Sequence, residues 1–190
     1  MTEILWHGRG GQGAFSAAKV LGAAYSLTGK HALAFPSFGP ERRGAPILAF
    51  TKLDSKPVGD RSQIKKADYV IYLDDTLFSP AAFNEIKEGG KIFINTKKPI
   101  EEILSPSVES VETIGRSVKQ LVIFDADSLA LEILKMPVTN TVMLALLAKL
   151  SGVVSEAQLD AAIEKYMPGK IAAKNVVLVG EVFKRAGGNV

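Results

Sequence analysis

Gly8, Gly10 and Gly13 are spaced as G-x-G-x-x-G, with Arg9, Gly11 and Gln12 filling the gaps. The run follows the short apolar segment Ile4-Leu5-Trp6 and precedes a helical pattern from Ala14 to Leu27. A strand before it and a helix after it are the context in which such a turn receives a phosphate. Glycine permits φ above zero and lets a ligand approach the backbone. The helix start adds unpaired N–H groups and about half a unit of positive charge, and the Arg9 guanidinium a charge-assisted donor. A dinucleotide also wants an acid for its ribose about 20 residues on, at the end of the second strand. Phe35-Pro36-Ser37 stands there and no acid comes before Glu41, so NAD held by this chain alone is disfavoured. A tight turn that only packs helix on strand is the competing reading.

A second group of chemistry-bearing residues lies in Phe35-Pro36-Ser37-Phe38-Gly39-Pro40-Glu41-Arg42-Arg43-Gly44-Ala45-Pro46. Proline fixes φ and removes donors, so three prolines and two glycines predict an ordered, irregular loop. Arginine forks grip phosphate or carboxylate in two places at once, and Phe38 offers a flat apolar surface. Ser37, Phe38, Glu41, Arg42 and Arg43 are therefore binding candidates, in a loop of the kind that carries function on a rigid scaffold. The alternative is an internal pair between Glu41 and an arginine on a solvated connector.

The elements that must position these loops follow from periodicity. Short apolar runs alternate with helical patterns, which predicts an α/β protein with a mixed, mostly parallel open sheet and helices on both faces. Strands are expected at Ile4-Leu5-Trp6, Ala32 to Phe35, Pro46 to Leu53, Tyr69 to Leu73, Lys91 to Ile94 and Leu121 to Phe124, with a helix from Ser79 to Lys87. The loop between the second and third strands leaves no room for a crossover helix, so those two are expected to be antiparallel neighbours. Strands four, five and six end in Asp74-Asp75-Thr76, Asn95-Thr96 and Asp125-Ala126-Asp127, which puts the polar groups on one edge of the sheet if those strands are parallel. The last third is helical. A capping box opens at Ser155 with Gln158, Asn140 to Leu150 is apolar nearly all round and so buried, and Ala172 to Arg185 is a further helix. Residues 1–190 read as one domain.

Composition removes other classes. The 190 residues are 47% hydrophobic and 23% charged, a globular balance rather than a disordered one. With no cysteine there is no disulfide framework, thiolate zinc site or self-ligated iron–sulfur cluster. The net charge of +3 is spread along the chain without the basic, aromatic-laced stripe of a nucleic-acid binder. The start Met1-Thr2-Glu3-Ile4 lacks the features of a signal peptide, and Met136 to Ala148 falls short of the roughly 20 apolar residues of a membrane span, so a cytoplasmic location is expected. His7 is read as a hydrogen-bonded structural group, His31 as a surface residue, and Thr139-Asn140-Thr141 as a helix cap. Two distant histidines argue against a catalytic metal, and the absence of G-x-S-x-G against an esterase.

The segment Trp6 to Gly13, followed by Ser37 to Pro46, resembles the gamma subunit of the 2-oxoacid:acceptor oxidoreductases, of which pyruvate synthase is a member. Leu73-Asp74-Asp75-Thr76-Leu77 and Pro137 to Leu144 add to the resemblance, which spans most of the chain. It implies a multi-subunit enzyme that oxidatively decarboxylates a 2-oxoacid, pyruvate or an arylglyoxylate, on thiamine diphosphate, and passes the acyl group to coenzyme A and electrons to iron–sulfur clusters. Gly59-Asp60 is followed by Arg61, so a Gly-Asp-Gly thiamine signature is missing. The resemblance thus places thiamine and clusters on partner subunits, which are thiamine-binding, alpha-type and ferredoxin-like, and gives this chain a non-catalytic place on the coenzyme A side. A free-standing nucleotide- or coenzyme-A-binding module and a purely structural interface subunit are the alternatives.

Overall fold

The computed structural model describes residues 1–37, 43–104 and 119–186. Strands β1 (Thr2–Arg9), β2 (His31–Pro36), β3 (Pro46–Asp54), β4 (Ala67–Tyr72), β5 (Ile86–Asn95) and β6 (Leu121–Phe124) form one sheet in the order β2-β3-β1-β4-β5-β6. Only β3 runs against the rest. It pairs antiparallel with β1 and β2, whereas β1 with β4, β4 with β5 and β5 with β6 are parallel. The sheet is thus mixed and mostly parallel, as its short second connection demands.

Successive side chains of a strand face opposite ways, and both sides of the central strands are apolar. Ile4, Trp6, Ile71, Leu73 and Phe93 point to one core; Leu5, Val70, Tyr72, Ile92 and Ile94 point to the other. The first core lies under helices α1 (Ala14–Ser26), α3 (Ala126–Leu134), α4 (Asn140–Ser151), α5 (Glu156–Tyr166) and α6 (Gly169–Arg185). The second is covered by shorter pieces: 3-10 turns at Asp75–Leu77 and Pro80–Asn84, and α2 (Ile100–Leu104). No helix is long and apolar enough to cross a membrane among the described residues.

Helix α1 lies close on the sheet because its inner face is built of small residues. A Cβ on Gly22 would already touch the Cβ of Ala32 at 3.4 Å. The Trp6 indole donates to Thr51 Oγ1 at 3.1 Å and that hydroxyl donates to the Ala18 carbonyl at 3.3 Å, so β1, β3 and α1 are tied through the core. Helix α4 is buried from Asn140 to Ala148, which explains a sequence apolar on every side. Ser155 and Gln158 close the predicted capping box, and Gly29 takes a φ of 75° after α1.

Two elements differ from the expectation. The helix expected from Ser79 to Lys87 is only the turn Pro80–Asn84, because the Glu85 carbonyl accepts from Ala67 N–H at 2.7 Å and Ile86 pairs with Ala67. Sheet pairing thereby takes the backbone groups that a longer helix would have used. Helix α3 was not expected as an element. Its start is nonetheless written in Asp125, whose carboxylate accepts from Ser128 N–H at 2.9 Å.

Candidate functional site

The two loops singled out by composition meet at the end of one ladder. Strands β1 and β3 pair through Gly8 with Ile47 and Arg9 with Pro46. Beyond the ladder, Gly10 N–H donates to the Ala45 carbonyl at 2.8 Å and Gly44 N–H donates to the Gly10 carbonyl at 3.0 Å. The glycine turn and the arginine-bearing loop are thereby bonded to each other.

A cleft of about 630 Å³ opens between them, lined by Gly10, Gly11 and Gly13, by Ala14, Phe15 and Ser16 of α1, and by Ser37 and Arg43. Among the described residues no acidic one lines it. Gly13 is the N-cap of α1 with φ of 82°, offers no side-chain cap, and is followed by a first turn without acids. The first helical bond is that of Ala17 to the Gly13 carbonyl. The N–H groups of Ala14, Phe15 and Ser16 precede it and stay available for an anion. Phe38, Glu41 and Arg42 lie outside the described residues.

The remaining residues of the glycine motif shape the turn. Gly8 is needed for packing, since a Cβ there would sit 3.2 Å from Ala14 Cβ, and Gly11 for its φ of 99°. Gln12 Oε1 accepts from Arg9 N–H at 2.7 Å, and Gln12 Nε2 donates to Asp74 Oδ2 at 3.1 Å. The Arg9 guanidinium is committed to the fold: Nε donates to Asp74 at 2.9 Å and its terminal nitrogens donate to the Gly44 carbonyl and to Thr76 Oγ1. Partial burial pushes the Asp74 carboxyl up, but hydrogen bonds from Thr76, Gln12 and Arg9 outweigh it and hold it below the usual carboxylate range. Of the two loop arginines, Arg43 is the one seen at the cleft.

The strand ends gather on the same edge, as their sequence placed them. A second, polar cleft of about 430 Å³ is lined there by Asp74, Asp75, Asn95, Thr96, Lys98 and Asp127, among others. These groups largely satisfy one another. Thr96 donates to Asp75 at 2.8 Å, Lys98 pairs with Asp75 at 3.1 Å, and Asn95 bridges the Leu73 carbonyl, Asp127 and the Ala126 N–H. Among the described residues no group of His, Asp and Glu could hold a metal ion.

Asn140 was read from sequence as part of a helix cap. It is the first residue of α4, where that helix was expected to begin, and its Nδ2 donates not to its own helix but to the Gly13 carbonyl at 3.2 Å. Only the resemblance of Pro137 to Leu144 to the family pattern marked the segment. His7 is structural: it stacks on Tyr72 with centroids 4.2 Å apart, and its Nε2 lies 2.9 Å from Glu85 Oε2. Glu85 is raised by burial, yet the His7 hydrogen bond, the His7 charge and the Tyr72 hydroxyl leave it below its ordinary value.

An uncapped helix start beside a glycine turn at the carboxyl ends of a mostly parallel sheet is the arrangement in which α/β proteins commonly receive anionic ligands. The particular family is given by comparison. Residues 3–185 match the family model described as pyruvate ferredoxin/flavodoxin oxidoreductase, and the chain belongs to that family. It is 41% identical over 186 residues to the "pyruvate/ketoisovalerate oxidoreductases common subunit gamma" of Thermococcus litoralis, covering 97% of both chains. The fold is similar to the pyruvate oxidoreductase subunit PORC of Thermotoga maritima, with a TM-score of 0.75, 32% identity and 96% and 95% of the two chains covered. At 16% identity and a TM-score of 0.75 the same fold, whole, makes up 31% of a chain of the 2-oxoglutarate:ferredoxin oxidoreductase from Magnetococcus marinus, solved with 2-oxoglutarate, coenzyme A and succinyl-CoA bound.

Proposed function

We propose that residues 1–190 act as one domain, the non-catalytic gamma subunit of a thiamine-dependent 2-oxoacid oxidoreductase, and that its glycine-turn cleft holds the phosphate-bearing end of coenzyme A. The observation that carries this reading is the pair of hydrogen bonds joining Gly10 to Gly44 and Ala45. They bring the open N–H groups of α1 and the Arg43 side chain to one cleft, which no acidic residue lines among the described residues. Coenzyme A carries a diphosphate and a 3′-phosphate, which suit a helix start and a guanidinium. Ser16 and Ser37 supply neutral donors beside them. The bound coenzyme A of the Magnetococcus enzyme, whose chain contains this fold, agrees with the choice.

Thiamine diphosphate and iron–sulfur clusters do not fit this chain, which has no cysteine and no Gly-Asp-Gly run. In this reading they sit on the thiamine-binding, alpha-type and ferredoxin-like partner subunits. Binding energy gathered at the remote end of coenzyme A then positions its thiol for attack on an acyl group held next door. A gamma subunit common to pyruvate and ketoisovalerate enzymes in Thermococcus fits a substrate choice made outside this chain. Pyruvate or an arylglyoxylate is the substrate class proposed.

The test is Arg43→Ala in the assembled complex, with Arg42→Ala beside it. The Arg43 variant is expected to raise KM for coenzyme A roughly tenfold, the loss of one charge-assisted contact, with 2-oxoacid decarboxylation spared. Unchanged coenzyme A kinetics with weakened assembly would favour a purely structural subunit instead, a reading to which the fully engaged Arg9 side chain lends weight.

A further inference from the structure

A larger cleft, of about 700 Å³, is walled by α1, β2, the start of α4 and the helices α5 and α6 where they meet. Among the described residues eight large apolar side chains are exposed, and four of them (Leu27, Val138, Tyr166 and Ile171) line this one feature. Tyr166 and Ile171 are 58% and 54% exposed, which leaves the apolar groups at the rim rather than sunk in a pocket. Concentrated rim exposure of this kind marks a protein contact, whereas a small-molecule site hides its apolar wall.

The polar groups restrict what can dock. Lys19 and Lys165 line the cleft, and among the described residues no aspartate or glutamate does. Asn140 and Asn175, 7% and 5% exposed, also line it; each spends its Nδ2 on a backbone carbonyl and leaves Oδ1 without a donor. Buried acceptors without partners are costly in a finished fold. An occupant with apolar anchors and negative flanks answers the exposed rim and the two lysines, and a peptide segment can carry both. Ser16 lines both this cleft and the glycine-turn cleft, so the two are neighbours along α1.

We infer that this cleft is the docking groove for a segment of a partner subunit, a segment with one or two large apolar residues flanked by Asp or Glu. The inference rests on the subunit reading above and specifies where assembly occurs. Tyr166 and Ile171 are the anchors' contacts, and Lys19 and Lys165 steer the acidic flanks and fix their register.

The experiment purifies the co-expressed complex through a tag on this chain, as wild type, as Lys19→Glu/Lys165→Glu and as Tyr166→Ala/Ile171→Ala. All four side chains are exposed, so circular dichroism of each chain alone is expected to match wild type. Each double variant is expected to bind one partner subunit at least about tenfold more weakly, the scale of losing a contact hot spot. Rising salt should weaken wild-type assembly but not that of the charge-reversed variant. A wild-type chain that assembles normally while both variants match its affinity overturns the docking groove and leaves the subunit reading standing. A small molecule found in the cleft with partner affinity unchanged overturns it as well. A wild-type chain that recruits no partner at all overturns both.

Discussion

The side chain of Asn140 donates to the main-chain carbonyl of Gly13, a contact at 3.2 Å between residues 127 apart in sequence. Gly13 holds φ at 82°, and a Cβ on it would come within 2.5 Å of the same Asn140 nitrogen. The first residue of the buried helix α4 therefore sets the turn from which α1 and its open N–H groups start. The turn at the cleft is thereby tied to a helix buried from Asn140 to Ala148.

Gly13→Ala is expected to destabilise the chain by about 1–3 kcal/mol through left-handed strain alone, with the clash added. Asn140→Ala removes one of the carbonyl's two donors, leaving Ala17 N–H, and should cost about 0.5–1.5 kcal/mol. The double variant relieves the clash, so its cost should fall short of the sum of the two. Urea unfolding of the four proteins measures this; strict additivity would mean that the two residues do not touch.

Asp74 holds Arg9, Gln12 and Thr76 together, and its folded pKa lies below its ordinary 3.8. A depressed carboxyl stabilises fully above its unfolded value and loses that contribution as pH falls through the folded one. Wild type should therefore exceed Asp74→Asn in stability at neutral pH, and the gap should close as pH drops below about 4. Melting temperatures of both proteins from pH 7 to pH 3 test it. A gap that stays constant with pH would show that the charge is not what matters.

Lys52 is 1% exposed, and its ammonium pairs with Asp60 at 2.6 Å on the segment joining β3 to β4. The Lys52 hydrogen bond, with those from Ser62, holds the Asp60 carboxyl far below its usual range. Asp60→Asn strands a buried ammonium and is expected to lower the melting temperature clearly. Lys52→Met together with Asp60→Asn should recover most of the loss, because an apolar chain of similar length needs no partner there. Failure of the double variant to recover would assign Lys52 a further task.

Ser155→Ala removes the cap of α5, whose side chain accepts from Gln158 N–H. The expected cost is about 0.5–2 kcal/mol in stability, with KM for coenzyme A in the complex unchanged. A shift in that KM would couple the far helical layer to the glycine turn.

Where the pattern is local, the sequence was readable. Six strands, the antiparallel return of β3, the buried helix α4 and the capping box at Ser155 follow from periodicity and from residues within a few positions of each other. The polar edge was visible for the same reason, since Asp74, Asn95 and Asp125 each end a strand. The stretch from Ser79 to Lys87 misled because Ala82, Phe83 and Ile86 fit a helical face equally well; only the distant partner Ala67 decides for the sheet. Arg9 pointed at a ligand by type, yet its donors go to Asp74, Thr76 and Gly44, which no spacing rule brings near. Asn140 lies beyond sequence for the same reason, its partner being 127 positions away.

The eight-pair ladder between β1 and β3 ends at Arg9 and Pro46, one residue short of Gly10 in the cleft wall. A ligand held as proposed would meet the glycine turn already bonded to Gly44 and Ala45, and would forfeit little of its affinity to ordering those segments. Coenzyme A analogues trimmed to the nucleotide end should accordingly keep most of their grip on this subunit, while insertions placed between Ser37 and Arg43 should alter selectivity without disturbing the sheet beneath.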